Sequence, residues 1–299
     1  MKQKTLGRTY RFWGKGLHTG CYSHMRIKPA SPNTGILFVR TDVGVIIPAQ
    51  AEYVTSTARS TTLSNGKVSV CTVEHVLSAL TGLGVDNAII EIDNKEVPIL
   101  DGSCRQYVED ILTDKLVEQN AEREWIEIDE EILVENKKTG SYIRITPAED
   151  FQVDLTIDFN SKVLGIQKVH WDPSVDYSSE IGPCRTFCFL HEIQHLAALG
   201  LVKGGDVENA IVIVEKPISN FKMKRIAKTF GQPQLTVTPK GYLSNLELRY
   251  PDECGRHKLL DIIGDLRLSG GYVKAHVEAY KPGHSINTLA SKEIRKHIK

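Results

Sequence analysis

Three side chains that can bind metal or move protons recur every four residues in the segment 256–265, RHKLLDIIGD. Residues four apart lie on one face of an α-helix, so His257, Asp261 and Asp265 are predicted to stack along it. Apolar residues between them predict that the helix is buried. An imidazole and a carboxylate one turn apart can supply two ligands of a zinc ion, and a catalytic zinc usually takes three. The segment therefore predicts part of a metal site, and a third ligand from elsewhere.

The bulk composition excludes several classes of protein. The 299 residues predict two domains, and 37 basic residues balance 37 acidic residues, so no basic surplus points to nucleic acid. The N-terminus lacks the apolar core of a signal peptide, and no apolar run reaches membrane-spanning length. Six cysteines without a Cys-x-x-Cys pair are expected to be reduced and partly buried. We expect a cytoplasmic protein.

The sequence also repeats itself weakly. The strand-like segment 23–30, SHMRIKPA, resembles the segment 141–148, SYIRITPA, and both follow Thr-Gly. Glu74-His75 and Arg256-His257 each open an apolar helical run that leads to another strand-like segment. We therefore predict an α+β fold of two domains with similar topology, residues 1–122 and 123–299. Face-to-face packing of the two domains would bring His75 and His257 into one cleft.

Each remaining candidate has a plainer interpretation. Glu74 beside His75 can be interpreted as a general base next to a metal ligand. It can also be interpreted as an acidic residue stabilised by the positive end of the helix dipole. His284 follows a Pro-Gly turn and suits a proton donor that Asp265 orients, or a solvated loop histidine. Thr186 suits an oxyanion contact, but from the residues alone a helix N-cap is the better interpretation.

Two motifs offer alternatives. The segment 191–195, HEIQH, matches the zincin metalloprotease pattern, with His191 and His195 as ligands and Glu192 as base. Its helix is short and no histidine follows at metzincin spacing, although Glu208 or Glu215 could be offered as third ligand. The segment 14–20, GKGLHTG, lacks the P-loop spacing and predicts a turn, with phosphate binding left open.

Taken together, several motifs resemble one family, the zinc-dependent UDP-3-O-acyl-N-acetylglucosamine deacetylases of lipid A biosynthesis. The likeness covers nearly the whole chain. It is carried by GKGLHTG (14–20), TVEHVLSALTGLGVDNAIIEI (72–92), VPILDGS (97–103), CRTF (184–187), GGDVENAIV (204–212), RHKLLDIIGDLRLSG (256–270) and KPGHSIN (281–287). It implies two layered α+β domains with the active site between them, and hydrolysis of the N-acetyl group of an acylated UDP-N-acetylglucosamine.

The resemblance also implies a metal site and a base. One Zn²⁺ per chain would be bound by His75, His257 and Asp261, and Glu74 would be the general base. It demotes HEIQH, because that helix does not bind the catalytic metal in the family.

Further roles follow from the same resemblance. His284 would be the cationic or proton-donating group with Asp265 as its partner, Thr186 would help to hold the oxyanion, and Lys258 would contact the substrate. Phe187 would lie beside a hydrophobic acyl passage, built partly by an insert around residues 203–222. Some relatives carry a fused 3-hydroxyacyl dehydratase, so we expect that such a domain could follow the charged end of this chain.

Overall fold

The structure is a computed structural model that describes residues 1–193, 208–229, 232 and 234–298. Its α-helices are α1 (Glu74–Gly82), α2 (Arg105–Leu112), α3 (Tyr177–Glu180), α4 (Asn220–Thr229), α5 (Glu253–Leu266) and α6 (His284–Arg295). Residues 190–193 are also helical, and 3₁₀ turns cover Ala51–Tyr53 and Arg267–Ser269.

Across the described residues, the strands form two large sheets, one three-stranded sheet and two short pairs. They are β1 (Lys2–Thr5), β2 (Tyr10–Lys15), β3 (Tyr22–Pro29), β4 (Ile36–Arg40), β5 (Val45–Pro48), β6 (Val54–Ser56), β7 (Thr62–Asn65), β8 (Val68–Cys71), β9 (Ala88–Ile92), β10 (Val117–Glu122), β11 (Trp125–Glu127), β12 (Ile132–Asn136), β13 (Ser141–Pro147), β14 (Gln152–Asp158), β15 (Ile166–Trp171), β16 (Phe187–Phe189), β17 (Ile211–Ile213) and β18 (Tyr272–Tyr280).

The two large sheets have the same topology. The first has the order β2-β3-β9-β4-β5, and the second has the order β12-β13-β18-β14-β15, to which β11 adds a short parallel pairing with β18. In each, the strand that follows the long helix is antiparallel to one neighbour and parallel to the other. The similar segments in the sequence therefore form equivalent strands. β3 corresponds to β13, and the strand after each long helix, β9 or β18, corresponds to the other. The α+β prediction with two units of similar topology is confirmed, and the boundary after residue 122 stays a prediction.

Alternating apolar residues explain how each sheet faces the core. On β3 the side chains of Ser23, Met25 and Ile27 are buried while their neighbours are exposed, which is the period of a strand with one solvated face. β13 buries Ile143 and Ile145 in the same way. Most buried apolar residues of both halves form one continuous cluster.

The two long helices of the halves meet at the centre of the molecule. α1 packs directly against α5, and α5 also contacts β14, β15 and α6. A Cβ atom on Gly264 would lie 2.0 Å from the carbonyl oxygen of Glu74, so only glycine permits this approach of the two helices. The close contact brings the start of α1 beside the face of α5 that carries the spaced His and Asp residues.

A second, smaller apolar cluster lies in the segment between β16 and α5. Its buried members are Leu190, Ile193, Val212, Val214, Ala227, Leu235 and Leu243. β16 and β17 form a parallel pair within it. Part of the insert predicted around residues 203–222 lies in this segment, and residues 203–207 lie outside the described part of the chain. No helix of the described chain has the length and apolar character needed to cross a membrane.

Candidate metal centre

Three buried ligand-bearing side chains converge where α1 meets α5. The potential ligand atoms of His75, His257 and Asp261 all lie within 4.8 Å of one another. The Nε2 atoms of His75 and His257 are 3.7 and 3.4 Å from Asp261 Oδ1. His257 Nδ1 donates to the carbonyl oxygen of Cys184 at 3.0 Å, which fixes the ring with Nε2 towards the centre. Among the described residues this is the one His, Cys, Asp or Glu group with metal-binding geometry.

The charge states of this trio fit a divalent cation. Burial, with the neighbouring His257, lowers the pKa of His75 to about 3, and burial also lowers the pKa of His257. Burial raises the pKa of Asp261, but Lys258 and His257 outweigh it and hold that pKa below its usual range. Asp261 Oδ1 is buried and has no hydrogen-bond partner among the described residues. Two neutral imidazoles and one carboxylate with a free oxygen are a donor set that suits zinc.

A second group of polar side chains adjoins the trio. Glu74 Oε2 accepts a hydrogen bond from the backbone N–H of Thr61 at 3.0 Å, and the Thr61 hydroxyl donates to Asp265 Oδ1 at 2.6 Å. His284 Nδ1 and the amide of Asn287 both donate to Asp265 Oδ2 at 2.9 Å. His284 Nε2 therefore points the other way, 3.9 Å from Glu74 Oε1. The helix-dipole interpretation of Glu74 and the solvated-loop interpretation of His284 do not account for this arrangement.

Burial and neighbouring charges bring the pKa values of the Glu74 carboxyl group and the His284 imidazole close to each other. Burial raises the pKa of Glu74 to about 8 despite the opposing effect of His284. Burial would lower the pKa of His284, but the charges of Asp265 and Glu74 outweigh it and raise that pKa to about 9. A carboxyl group and an imidazole in this range can exchange protons at physiological pH.

The remaining predicted site residues, Lys258, Phe187 and Thr186, lie on α5 and at the start of β16. Lys258 Nζ donates to Asp261 Oδ2 at 2.7 Å and lies 5.6 Å from the ring centroid of Phe187. The Phe187 ring is 6.5 Å from that of His257. Thr186 precedes the strand β16, so its interpretation as a helix N-cap is wrong. The backbone N–H of Thr186 donates to the carbonyl oxygen of Gly102 at 2.8 Å, which links the two halves beside the trio.

Comparisons with known proteins identify the family of the chain. A family model described as LpxC, UDP-3-O-acyl N-acetylglycosamine deacetylase, matches residues 3–232 and 228–296. The chain belongs to this family of deacetylases. It is 40% identical over 99% of its length to a UDP-3-O-acyl-N-acetylglucosamine deacetylase of Teredinibacter turnerae, of which it covers 91%. A protein of the same name from a Nostoc species is 36% identical, with 98% of each chain covered.

Other relatives of the deacetylase family are longer. The chain is 41% identical over its whole length to a protein of Porphyromonas gingivalis named bifunctional enzyme LpxC/FabZ. It spans 65% of the length of that relative, and 65% of the one from Bacteroides thetaiotaomicron.

The two alternative motifs of this deacetylase-family chain have local structural roles. His191 is exposed and Glu192 accepts a hydrogen bond from the backbone N–H of Phe189 at 3.0 Å, while His195 lies outside the described residues. In the segment 14–20, the buried carboxylate of Glu96 accepts the backbone N–H groups of His18 and Thr19. The loop is therefore a turn closed on the Glu96 carboxylate, which comes from a distant part of the chain, and these N–H groups are not available for phosphate.

Sequence reasoning missed several residues that shape the site. Thr61 and Asn287 both bond to Asp265, and neither has a sequence pattern that identifies it. The Arg185 guanidinium bonds to Glu253 Oε1 at 2.8 Å, and both side chains are buried. This pair joins the segment before β16 to the first turn of α5. Arg185 stands in the motif CRTF, whereas Glu253 lies in the polar segment 251–256, PDECGR, so no sequence pattern marks the two as partners.

Proposed function

We propose that this protein catalyses the zinc-dependent hydrolysis of the N-acetyl group of UDP-3-O-(3-hydroxyacyl)-N-acetylglucosamine. The products are acetate and the free amine, in the committed step of lipid A biosynthesis. The observation that carries the proposal is the buried trio of His75, His257 and Asp261 beside the pair of Glu74 and His284. The names of the family and of its curated relatives support the substrate.

The proposed cofactor is one zinc ion per chain, bound by the trio. A zinc ion there would supply Lewis-acid chemistry, polarising the amide carbonyl and the attacking water. The chain itself contributes the preorganisation. The Cys184 carbonyl orients His257, and Lys258 holds one oxygen of Asp261 while the other stays available.

Glu74 is proposed as the general base. Its Oε2 is held by the Thr61 N–H, and its Oε1 faces the centre and His284. A pKa of about 8 lets the carboxyl group take a proton from water and give it up again within one turnover. Its position at the first residue of α1, next to His75, keeps it within the reach of a reactant at the trio.

His284 is proposed as the cationic partner of the reaction. Its hydrogen bond to Asp265 keeps the proton on Nδ1, and its pKa of about 9 keeps the ring charged at neutral pH. The charged Nε2–H can stabilise negative charge or give a proton to the leaving amine. A protonated Glu74 is the alternative donor of that proton. Asn287 and Thr61 hold Asp265 in place and thereby orient His284 indirectly.

The substrate is proposed to lie along the wall of β16. Thr186 helps to hold the developing oxyanion, Lys258 contacts the substrate, and Phe187 lies beside the acyl chain. The insert around residues 203–222 is proposed to build part of the acyl passage. A cytoplasmic location and a covalently attached dehydratase domain also stay predictions, which cell fractionation and the gene sequence beyond the codon for Lys299 would test.

Metal content decides the proposal most directly. Wild type, His257→Ala and His191→Ala are purified in parallel and their zinc is measured by mass spectrometry. We expect one zinc per chain, lost in His257→Ala and kept in His191→Ala. Loss with His191 instead would overturn the deacetylase site in favour of a HEIQH metalloprotease.

The base assignment needs its own experiment. Acetate release from the acylated sugar nucleotide is measured for wild type and for Glu74→Ala, beside the zinc content of each. We expect Glu74→Ala to keep its zinc and to lose most turnover. A variant that loses zinc would contradict the assignment of Glu74 as a base rather than a ligand.

A further inference from the structure

One stretch of the chain departs sharply from the neutral charge of the whole. Between Glu215 and Glu247 the sequence contains no acidic residue, although the complete chain has equal numbers of acidic and basic residues. Six basic residues lie in that stretch, at Lys216, Lys222, Lys224, Arg225, Lys228 and Lys240. This stretch therefore has a local excess of six positive charges, which the neutral total of the chain conceals.

Helix α4 carries most of this charge on its outer face. Met223, Ile226 and the buried Ala227 lie at helical spacing and pack against the smaller apolar cluster. The basic residues of the helix lie on the opposite, exposed side. The apolar face fixes the helix to the protein, and so the cations are held together on one surface.

The exposed face of α4 also carries an aromatic residue. Phe221 is 71% exposed, the highest value among the large apolar side chains of the described chain. Lys222, Lys224 and Lys228 form no ion pair with any described residue. A fixed cluster of cations beside a bare aromatic ring is the combination by which proteins adsorb to anionic membrane surfaces.

We propose that α4 docks this protein on the surface of an anionic lipid bilayer. The lysines attract the negative headgroups, and the Phe221 ring enters the boundary between headgroups and acyl chains. An acidic protein partner would also attract the lysines, but Phe221 beside them favours lipid. The docking is peripheral, because the apolar face of α4 is occupied by the protein's own cluster.

The position of α4 gives the docking a consequence. The helix packs against the smaller apolar cluster. The side chain of Cys188, in the middle of β16, packs against the same cluster. β16 begins with Phe187, whose ring is 6.5 Å from that of His257. A membrane bound to α4 would therefore lie on the side of the molecule formed by this segment. The inference concerns binding in the absence of substrate and does not rest on the proposed deacetylation.

Vesicle co-sedimentation of the purified chain tests the proposal. The vesicles consist of phosphatidylcholine alone or phosphatidylcholine mixed with phosphatidylglycerol. We expect binding to the anionic vesicles only, weakened by added salt. The triple variant Lys222→Gln, Lys224→Gln, Lys228→Gln should bind about a hundredfold more weakly, from roughly fivefold for each lysine. Phe221→Ser should weaken binding about tenfold.

A matched control separates the helix from net charge. Lys137, Lys138 and Lys168 are exposed lysines outside the basic stretch, and their triple replacement by glutamine removes the same charge. We expect the control variant to bind as wild type does. All these side chains are exposed, so equal thermal unfolding temperatures would show that each variant is folded.

Three results would overturn the proposal. The first is equal binding to neutral and anionic vesicles, and the second is equal loss in the α4 and control variants. The third is binding to polyglutamate that is as tight as binding to the vesicles and unaffected by Phe221→Ser, which would indicate an acidic protein partner instead.

Discussion

The contact between α1 and α5 leads to a prediction that opposes the one from helix propensity. In an ordinary helix interior, Gly264→Ala would stabilise the protein by about 0.5–1 kcal/mol. In this structure the new Cβ atom would lie 2.0 Å from the Glu74 carbonyl oxygen and 3.1 Å from the Ser78 backbone nitrogen. An ordinary contact begins at 3.4 Å, so the two helices must separate by about 1.4 Å at this point. Because both contacts are to backbone, no side-chain rotation relieves the clash.

The separation should affect both stability and metal binding. Overpacking of this kind destabilises a protein by about 1–3 kcal/mol, which outweighs the gain in helix propensity. His75 lies on α1 whereas His257 and Asp261 lie on α5, so the same movement pulls the predicted ligands apart. We therefore expect lower stability of the metal-free protein and weaker zinc affinity.

Thermal unfolding of the metal-free protein and zinc competition against a chelator measure the two effects separately. Gly283→Ala is the matched control, because nothing lies within 4 Å of its added Cβ and its φ of −171° is extended backbone. Gly283 is the N-cap residue of α6, where alanine is less favourable than glycine, so the control should lose no more than about 1 kcal/mol and should keep its zinc affinity. A Gly264→Ala protein that is more stable than wild type, with unchanged zinc affinity, would refute the reasoning.

Further predictions concern the groups around the site. Asp265→Asn should keep its zinc and lose turnover, since His284 loses the charge that holds its proton, and parallel metal and acetate assays check this. Glu253→Gln should destabilise the protein by about 3–5 kcal/mol, because it leaves the buried Arg185 charge unpaired, whereas replacing both residues with apolar ones should cost less in denaturant unfolding. Glu96→Gln should destabilise by about 1–3 kcal/mol, because an amide NH₂ replaces one oxygen that accepts hydrogen bonds from the glycine-rich loop. Chelation should lower the unfolding temperature of wild type. If zinc had been present at a hundredfold over its dissociation constant, the free energy of unfolding should fall by about 2.7 kcal/mol. The same chelator should leave His257→Ala unchanged.

Local periodicity and the internal repeat predicted the part of the site that lies on the two long helices. His257, Asp261 and Asp265 lie on one helix, so a spacing of four residues was enough to place them on one face. The repeat of strand, helix and strand was enough to relate His75 to His257. The observed sheets confirm that relation through their common strand order.

The parts that the sequence missed depend on contacts between distant segments. Thr61 lies in the loop before β7 and reaches Asp265 across the interface between the halves, and no local pattern marks such a contact. The N-cap interpretation of Thr186 failed for a related reason. The apolar residues that follow it have no period that separates a short strand from a helix, and pairing with β17 decides the matter.

The duplicated fold explains why the candidate site has its asymmetry. Each half contributes a long helix, but the two helices present different chemistry at their point of contact. α1 carries the proposed base and one imidazole in its first turn, where the chain has just left the small sheet of β6, β7 and β8. α5 carries the second imidazole and two carboxylates one turn apart, from His257 in its second turn to Asp265 near its end, and all three side chains are buried. Neither half contains all three predicted ligands, so the candidate site exists only while the halves are packed together. Gly264, at the contact of α1 with α5, is therefore expected to affect both the fold and metal binding.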